Sequence, residues 1–241
     1  MIKATRCIKN KVPRYLKGPI RALVDRSRGL TTTPLTHEEI AALIKKPNPT
    51  ILEIGCNDGT DTLAFLRLMP QAKIYCFEPD PRAIERFKKR LGLHLDKVRL
   101  FEIAVSDRSG QTDFYASSGG DFPGGWDMSG SIRRPKNHLI EVPWITFQKT
   151  IVRTYRLDDW AAENGVKQVD FIWMDVQGAE GDVVAGAPKI LEETRFLYTE
   201  YSNNETYEGQ PSLKRLLAQM PSFDVLARYP ADVLLINRKL A

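Results

Sequence analysis

A doubly wound, mostly parallel α/β sheet of nucleotide-binding type is the fold the sequence predicts, and three observations predict it. Short apolar runs recur at Thr50 to Ile54, Lys73 to Phe77, Val98 to Val105, Val169 to Val176 and Phe196 to Tyr201, the length and content of buried strands. Segments of helical composition separate most of them, and alternation at this spacing is wound by right-handed crossovers. The first run enters a glycine turn (TILEIGCNDGTD, 50 to 61), and the second ends at Glu78, 19 residues past Gly59. Nucleotide-binding α/β folds place there the carboxylate that accepts ribose hydroxyls.

The elements follow in order. Thr36 with Glu39 is a capping box that starts a short amphipathic helix, which Lys46-Pro47-Asn48-Pro49 ends. After the first strand and its glycine turn, Thr62 to Met69 reads as a helix closed by Pro70. The strand to Glu78 precedes a helix from Pro81 to Leu91, with proline in its first turn and Gly92 just past its end. Val98 to Val105 reads as a third strand and Gln111 to Ala116 as a short one. Residues 117 to 143 are rich in Gly, Ser and Pro; a loop this long inside a domain that carries anchors such as Trp126, Met128, Ile132 and His138 reads as an ordered substrate lid. Trp144 to Arg156 alternates as a strand, and Leu157-Asp158-Asp159-Trp160 opens a helix closed by Gly165. Val169 to Val176 delivers Asp175 to a strand end. Gly178 to Leu191 is a helix bounded or broken near Pro188, Phe196 to Tyr201 a strand ending near Glu200, and Ser212 to Met220 a helix. Phe223 to Arg228 and Asp232 to Asn237 read as a closing hairpin.

Charge divides the chain into a basic extension, residues 1 to 35, and one domain, 36 to 241. Residues 1 to 30 hold nine Lys or Arg against Asp25 alone, whereas the remainder carries a charge of −3. The basic pI therefore belongs to the extension, and the body needs no polyanionic partner, so nucleic acid is disfavoured. The extension reads as a solvated arm; the alternative is a phosphate or peripheral membrane contact. No apolar run approaches the roughly 18 residues of a membrane span, and the extension lacks the apolar core of a secretory signal, so a cytoplasmic location is expected. Cys7, Cys56 and Cys76 lack metal or disulfide spacing and read as reduced packing residues.

The glycine turn is ExGxxxG rather than GxGxxG. Without a pyrophosphate to cradle, it suits a nucleoside, and Glu53, two residues before Gly55, can face a cationic group. An adenosine joined to a positively charged amino acid matches this pattern, and S-adenosylmethionine is such a ligand: its ammonium near Glu53 or Asp175, its ribose near Glu78. Asp175 ends a nearly continuous apolar strand at the carboxyl rim, where open α/β sheets bind ligands. No His, Cys and carboxylate cluster has metal-ligand spacing; a single Mg²⁺ on scattered carboxylates is not indicated, though sequence leaves it open.

Six blocks, ILEIGCNDGTDT, YCFEPDP, IAVSDRSG, MSGSI, YRLDDW and VDFIWMDVQGAEGDVVAGA, together resemble the FkbM family of S-adenosylmethionine-dependent methyltransferases, over about residues 50 to 200. The resemblance implies a class I methyltransferase (Rossmann-like) fold, a seven-stranded sheet with its last strand antiparallel, and O-methylation of a hydroxyl on a sugar, glycan or related small molecule. The expected cofactor contacts are Glu53, Gly55, Asn57, Asp58, Gly59, Thr62, Glu78, Pro79, Ala104 and Asp175. Asp175, Glu180 and His138 are the candidate bases, and Trp126, Ser129, Ser131, Gln177 and Glu200 the candidate substrate contacts. Gln177 departs from the family pattern, which has Glu there. That departure keeps a binding-only module as an alternative, and the basic extension keeps an RNA methyltransferase as a third, lower-ranked one.

Overall fold

The computed structural model describes residues 35–120 and 126–241. The basic extension therefore lies outside the described residues, save Leu35. Helix α1 (His37–Ile44) starts from Thr36, whose Oγ1 accepts the Glu39 N–H while Glu39 returns the bond to the Thr36 N–H. β1 (Thr50–Ile54), α2 (Thr60–Leu68), β2 (Lys73–Phe77), α3 (Pro81–Leu91) and β3 (Val98–Phe101) form the first half of a seven-stranded sheet. β7 (Val169–Met174) and β8 (Thr194–Glu200) form the second, with α5 (Leu157–Glu163) ahead of β7 and α6 (Glu180–Ala185) and α7 (Pro188–Glu192) between the two strands. α8 (Leu213–Gln219) leads into β9 (Phe223–Arg228) and β10 (Asp232–Asn237).

The sheet order is β3-β2-β1-β7-β8-β10-β9. β1 pairs parallel with both β2 and β7, so strand order reverses at β1/β7, the place where such sheets bind ligands. β10, last in sequence, inserts antiparallel between β8 and β9. Alternation along β1 sends Ile51 into a core with Phe65, Phe87 and Ile40 on one face, and Leu52 and Ile54 into a core with Trp160, Val183 and Leu216 on the other. Each such side chain contributes about 1.5 to 3 kcal/mol on burial.

The third strand differs from expectation. The Ile103 N–H closes a tight turn on the Phe101 carbonyl, so β3 stops there and the chain swings away. Ala104–Val105 becomes β4 of a separate three-stranded sheet, order β4-β6-β5, where β5 (Gly110–Gly119) and β6 (Ile145–Tyr155) pair antiparallel. β5 thus absorbs the first residues assigned to the lid. The described remainder of that segment is fastened down: Ser131 bridges Tyr115, Pro135 bridges Tyr207, and α4 (His138–Glu141) forms a single turn. The helix expected over 178 to 191, bounded or broken near Pro188, is two helices separated by Gly186 and Ala187, with Pro188 opening the second.

Candidate active site

Gly55 makes the site possible. It has φ +85°, and a Cβ there would stand 1.8 Å from the Asp175 carbonyl oxygen, so only glycine lets the ends of β1 and β7 meet. Asn57 follows at φ 42°, and Gly59, at φ +78°, enters α2 against Phe87 and Leu91. The Asn57 N–H donates to Glu78 Oε2 (2.9 Å) and the Asp80 N–H to Glu78 Oε1 (2.8 Å), tying the turn to the end of β2. Burial pushes the Glu78 carboxyl up to about 7.

These groups line a cavity of about 340 Å³. One end is apolar, with Phe77, Ile103, Ala104, Val105, Phe114 and Ile132, and Pro79 adjoins it. Asp58, Asp61, Glu78, Asp80, Asp127 and Asp175 also line it, and none of the described lining residues is Lys, Arg or His. The cations stand behind the wall. On α3, Arg82, Arg86 and Arg90 fall on successive turns and pair with Asp80 (2.6 Å), Asp127 and Asp58 respectively. One helix therefore holds the end of β2, the segment at Asp127 and the glycine turn. Sequence reasoning missed this ladder, although the i, i+4, i+8 spacing was its signal.

Asp175, just past the end of β7, lines the cavity, whereas Glu200, at the end of β8, lies outside its lining. Gln177 sits at φ 52°, and its Nε2 donates to Asp175 Oδ1 (2.7 Å) and to Glu200 Oε2 (3.3 Å). Burial raises Asp175 to about 6; burial, with Asp175 close by, raises Glu200 to about 9. Burial and mutual repulsion thus hold both carboxyls above the ordinary range, and an amide that donates to both joins them. The Tyr207 hydroxyl donates to the Ser129 carbonyl (2.9 Å) and lies 3.3 Å from Gln177 Oε1. Tyr207 carried no sequence signal, because it arrives on the irregular segment after β8.

The other expected site residues are placed as follows. Gly55, Asn57, Asp58, Glu78, Pro79, Ala104, Ser131, Asp175 and Gln177 line the cavity. Glu53 and Thr62 do not: alternation turns Glu53 to the opposite face of β1, where its buried carboxylate accepts from Thr62 Oγ1 (2.5 Å). Ser129 and Trp126 are committed to each other, Trp126 Nε1 donating to Ser129 Oγ (2.9 Å), rather than offered to an acceptor. Glu180 is buried outside the cavity lining and accepts from the Gly178 N–H (3.2 Å). His138 packs within the lid against Phe147 and Tyr207, with Nε2 buried and unpartnered, also outside the cavity lining. Cys56 and Cys76 are free and buried. Among the described residues no group of His, Cys, Asp and Glu could hold a metal ion, and no helix is long and apolar enough to cross a membrane.

Residues 53–227 match the model of the methyltransferase FkbM domain. The chain belongs to the FkbM methyltransferase family. It is 50% identical to the 2-O-methyltransferase NoeI of Sinorhizobium fredii over 95% of this chain and all of that protein. It is 28% identical to the methyltransferase sdnD of Sordaria araneosa over 74% of each. The crystal structure of methyltransferase FkbM from Methylobacillus flagellatus shares the fold at a TM-score of 0.50 and 12% identity, covering 90% of this chain and 58% of that one. As a family member this protein is an S-adenosylmethionine-dependent methyltransferase with a class I, Rossmann-like sheet. The cavity suits that cofactor: an apolar slot for a purine, a carboxylate at Glu78 for ribose hydroxyls, and acidic walls for a cation.

Proposed function

We propose that the protein O-methylates a hydroxyl of a sugar, glycan or related small molecule, at the cavity end where Asp175, Gln177 and Glu200 converge. The relative's 2-O-methyltransferase activity supports oxygen as the acceptor atom, and the relatives favour neither the binding-only nor the RNA reading. Gly55, Asn57, Glu78 and the apolar slot hold the nucleoside. When bound, S-adenosylmethionine supplies a methyl group already activated by its sulfonium charge. The chain's own work is chiefly alignment, worth up to about 7 to 11 kcal/mol, against the roughly 10²- to 10⁴-fold that a general base adds.

Asp175 is the group proposed to take the acceptor's proton. It lines the cavity, its Oδ1 is occupied by the Gln177 amide, and at about 6 its carboxyl is ionised at neutral pH. Glu200, protonated there, is the donor that orients the hydroxyl. The observation that carries this reading is the shared amide of Gln177 between two acids on adjacent strands. The test is methyl transfer to a panel of free and oligomeric sugars. Asp175→Asn should lower kcat by about 10²- to 10⁴-fold and remove the acid limb of the kcat profile; an unchanged limb would exclude Asp175 as the base.

A further inference from the structure

A second depression, about 560 Å³, adjoins the cofactor cavity, and Gln177 lines both. That size lies within the roughly 300 to 1,000 Å³ of ligand sites. It is built from the irregular segment after β8 and the β9/β10 turn, regions the family blocks seen in the sequence barely reach. Its character differs from the cavity's. Glu200 lies at the junction, half-buried Tyr201 supplies aromatic surface with buried Tyr207 behind it, and Asn203 stands exposed beside them. Arg228 lies over the Tyr201 ring, 5.1 Å from its centroid, and its Nε donates to Tyr201 Oη (2.8 Å).

We infer that this depression is the acceptor subsite, and that it binds a carbohydrate longer than one residue, with the reacting sugar at Gln177 and the remainder running toward Arg228. The inference rests on the O-methyltransferase reading above. The chemistry of the walls selects the ligand. Its acid, Glu200, accepts from the Gln177 amide, and its base, Arg228, lies over the Tyr201 ring and donates to the neutral Tyr201 hydroxyl, so both are fixed in place by uncharged partners and keep further hydrogen-bonding capacity for ligand hydroxyls. Amides, hydroxyls and aromatic surface remain, which together match a polyol with apolar C–H faces. Gln177 lining both spaces puts the two ligands end to end, with the acids of β7 and β8 at their meeting point.

The test uses the full chain, S-adenosylhomocysteine, and a printed array of mono- to hexasaccharides. Array binding of the fluorescently labelled protein and transfer of labelled methyl from S-adenosylmethionine are read in parallel. Two variants fill or strip the groove away from the cofactor: Asn203→Trp at an exposed position and Arg228→Ala at a strand end. The inference expects oligosaccharides to be favoured over their terminal monosaccharide. It also expects each variant to raise acceptor KM by about tenfold or more while kcat at saturation stays within about twofold, with calorimetric affinity for S-adenosylhomocysteine unchanged. Sugar methylation at unaltered KM in both variants would overturn the groove assignment and leave the O-methyltransferase reading standing. Methylation of phenolic or other non-carbohydrate hydroxyls alone would overturn both the inference and its carbohydrate premise.

Discussion

Glu78→Gln isolates the ribose assignment. In the native protein both carboxylate oxygens accept backbone N–H groups, from Asn57 at 2.9 Å and from Asp80 at 2.8 Å, and lone pairs remain for two ribose hydroxyls. The amide keeps the shape but offers one acceptor oxygen. Whichever way it turns, its NH₂ faces one of those backbone donors, and the negative charge is gone. A hydrogen bond to a charged group contributes about 1.5 to 3 kcal/mol. S-adenosylhomocysteine should therefore bind about 10- to 150-fold more weakly, measured by calorimetric titration. Urea unfolding of the free variant separates the part of the loss that comes from the turn itself. Asn57→Gly keeps the backbone N–H that donates to Glu78, so any loss of affinity there reads the Asn57 side chain alone. An affinity for Glu78→Gln within threefold of wild type would refute the assignment of Glu78 to the ribose.

Gly55→Ala forces a Cβ to 1.8 Å from the Asp175 carbonyl; it should cost at least about 3 kcal/mol in urea unfolding and abolish S-adenosylhomocysteine binding. Gly92→Ala, at φ +47° with nothing within 4 Å of its Cβ, should cost only about 1 to 2 kcal/mol and spare binding. A Gly55→Ala protein as stable as Gly92→Ala would show that the β1 and β7 ends can separate freely. Burial raises Glu78 and Glu180 to about 7, Asp175 to about 6 and Glu200 to about 9. Between the ordinary carboxylate range and those values the folded state binds more protons than the unfolded chain, so the ligand-free protein should lose stability as pH rises from 5 toward 9. Denaturation midpoints that rise over that interval would contradict this. Binding of cationic S-adenosylmethionine should favour the ionised acids and release protons near pH 6.5, which calorimetry in buffers of different ionisation enthalpy reads directly.

Much of the fold was legible because local rules and the tertiary outcome agree. β2, α3, β9 and β10 begin and end where their patterns and caps predict. The split after Phe101 was not legible, since VRLFEIAV is uninterrupted in hydropathy and the break depends on pairing with a strand about 50 residues downstream. That Gly55, Glu78 and Asp175 line one cavity was readable from glycine spacing and from strand-end acids, whose positions are set by backbone geometry. Side-chain commitments were not: Glu53 faces Thr62 because of its place in the β1 alternation, and Ser129 is consumed by Trp126 through a three-residue loop contact. Gln177 looked like a defect in sequence. In three dimensions its amide donates to two buried acids, which a third carboxylate could not do while ionised.

The pairing of β1 with β7 has a consequence for how the protein assembles. Near its start the Thr50 N–H donates to Asp170, 120 residues further along the chain, and at its far end Gly55 rests on Asp175. The glycine turn thus has its nucleoside-binding shape only after that distant strand has docked, a non-local closure of the kind that slows folding. A nucleoside bound across the seam, as proposed above, would contact both halves and be lost from any state in which they are apart. Cofactor product should then act as a chemical staple, raising the unfolding temperature with the logarithm of its concentration above Kd, even beyond saturation of the site, and tightening the protein as a whole rather than the turn alone.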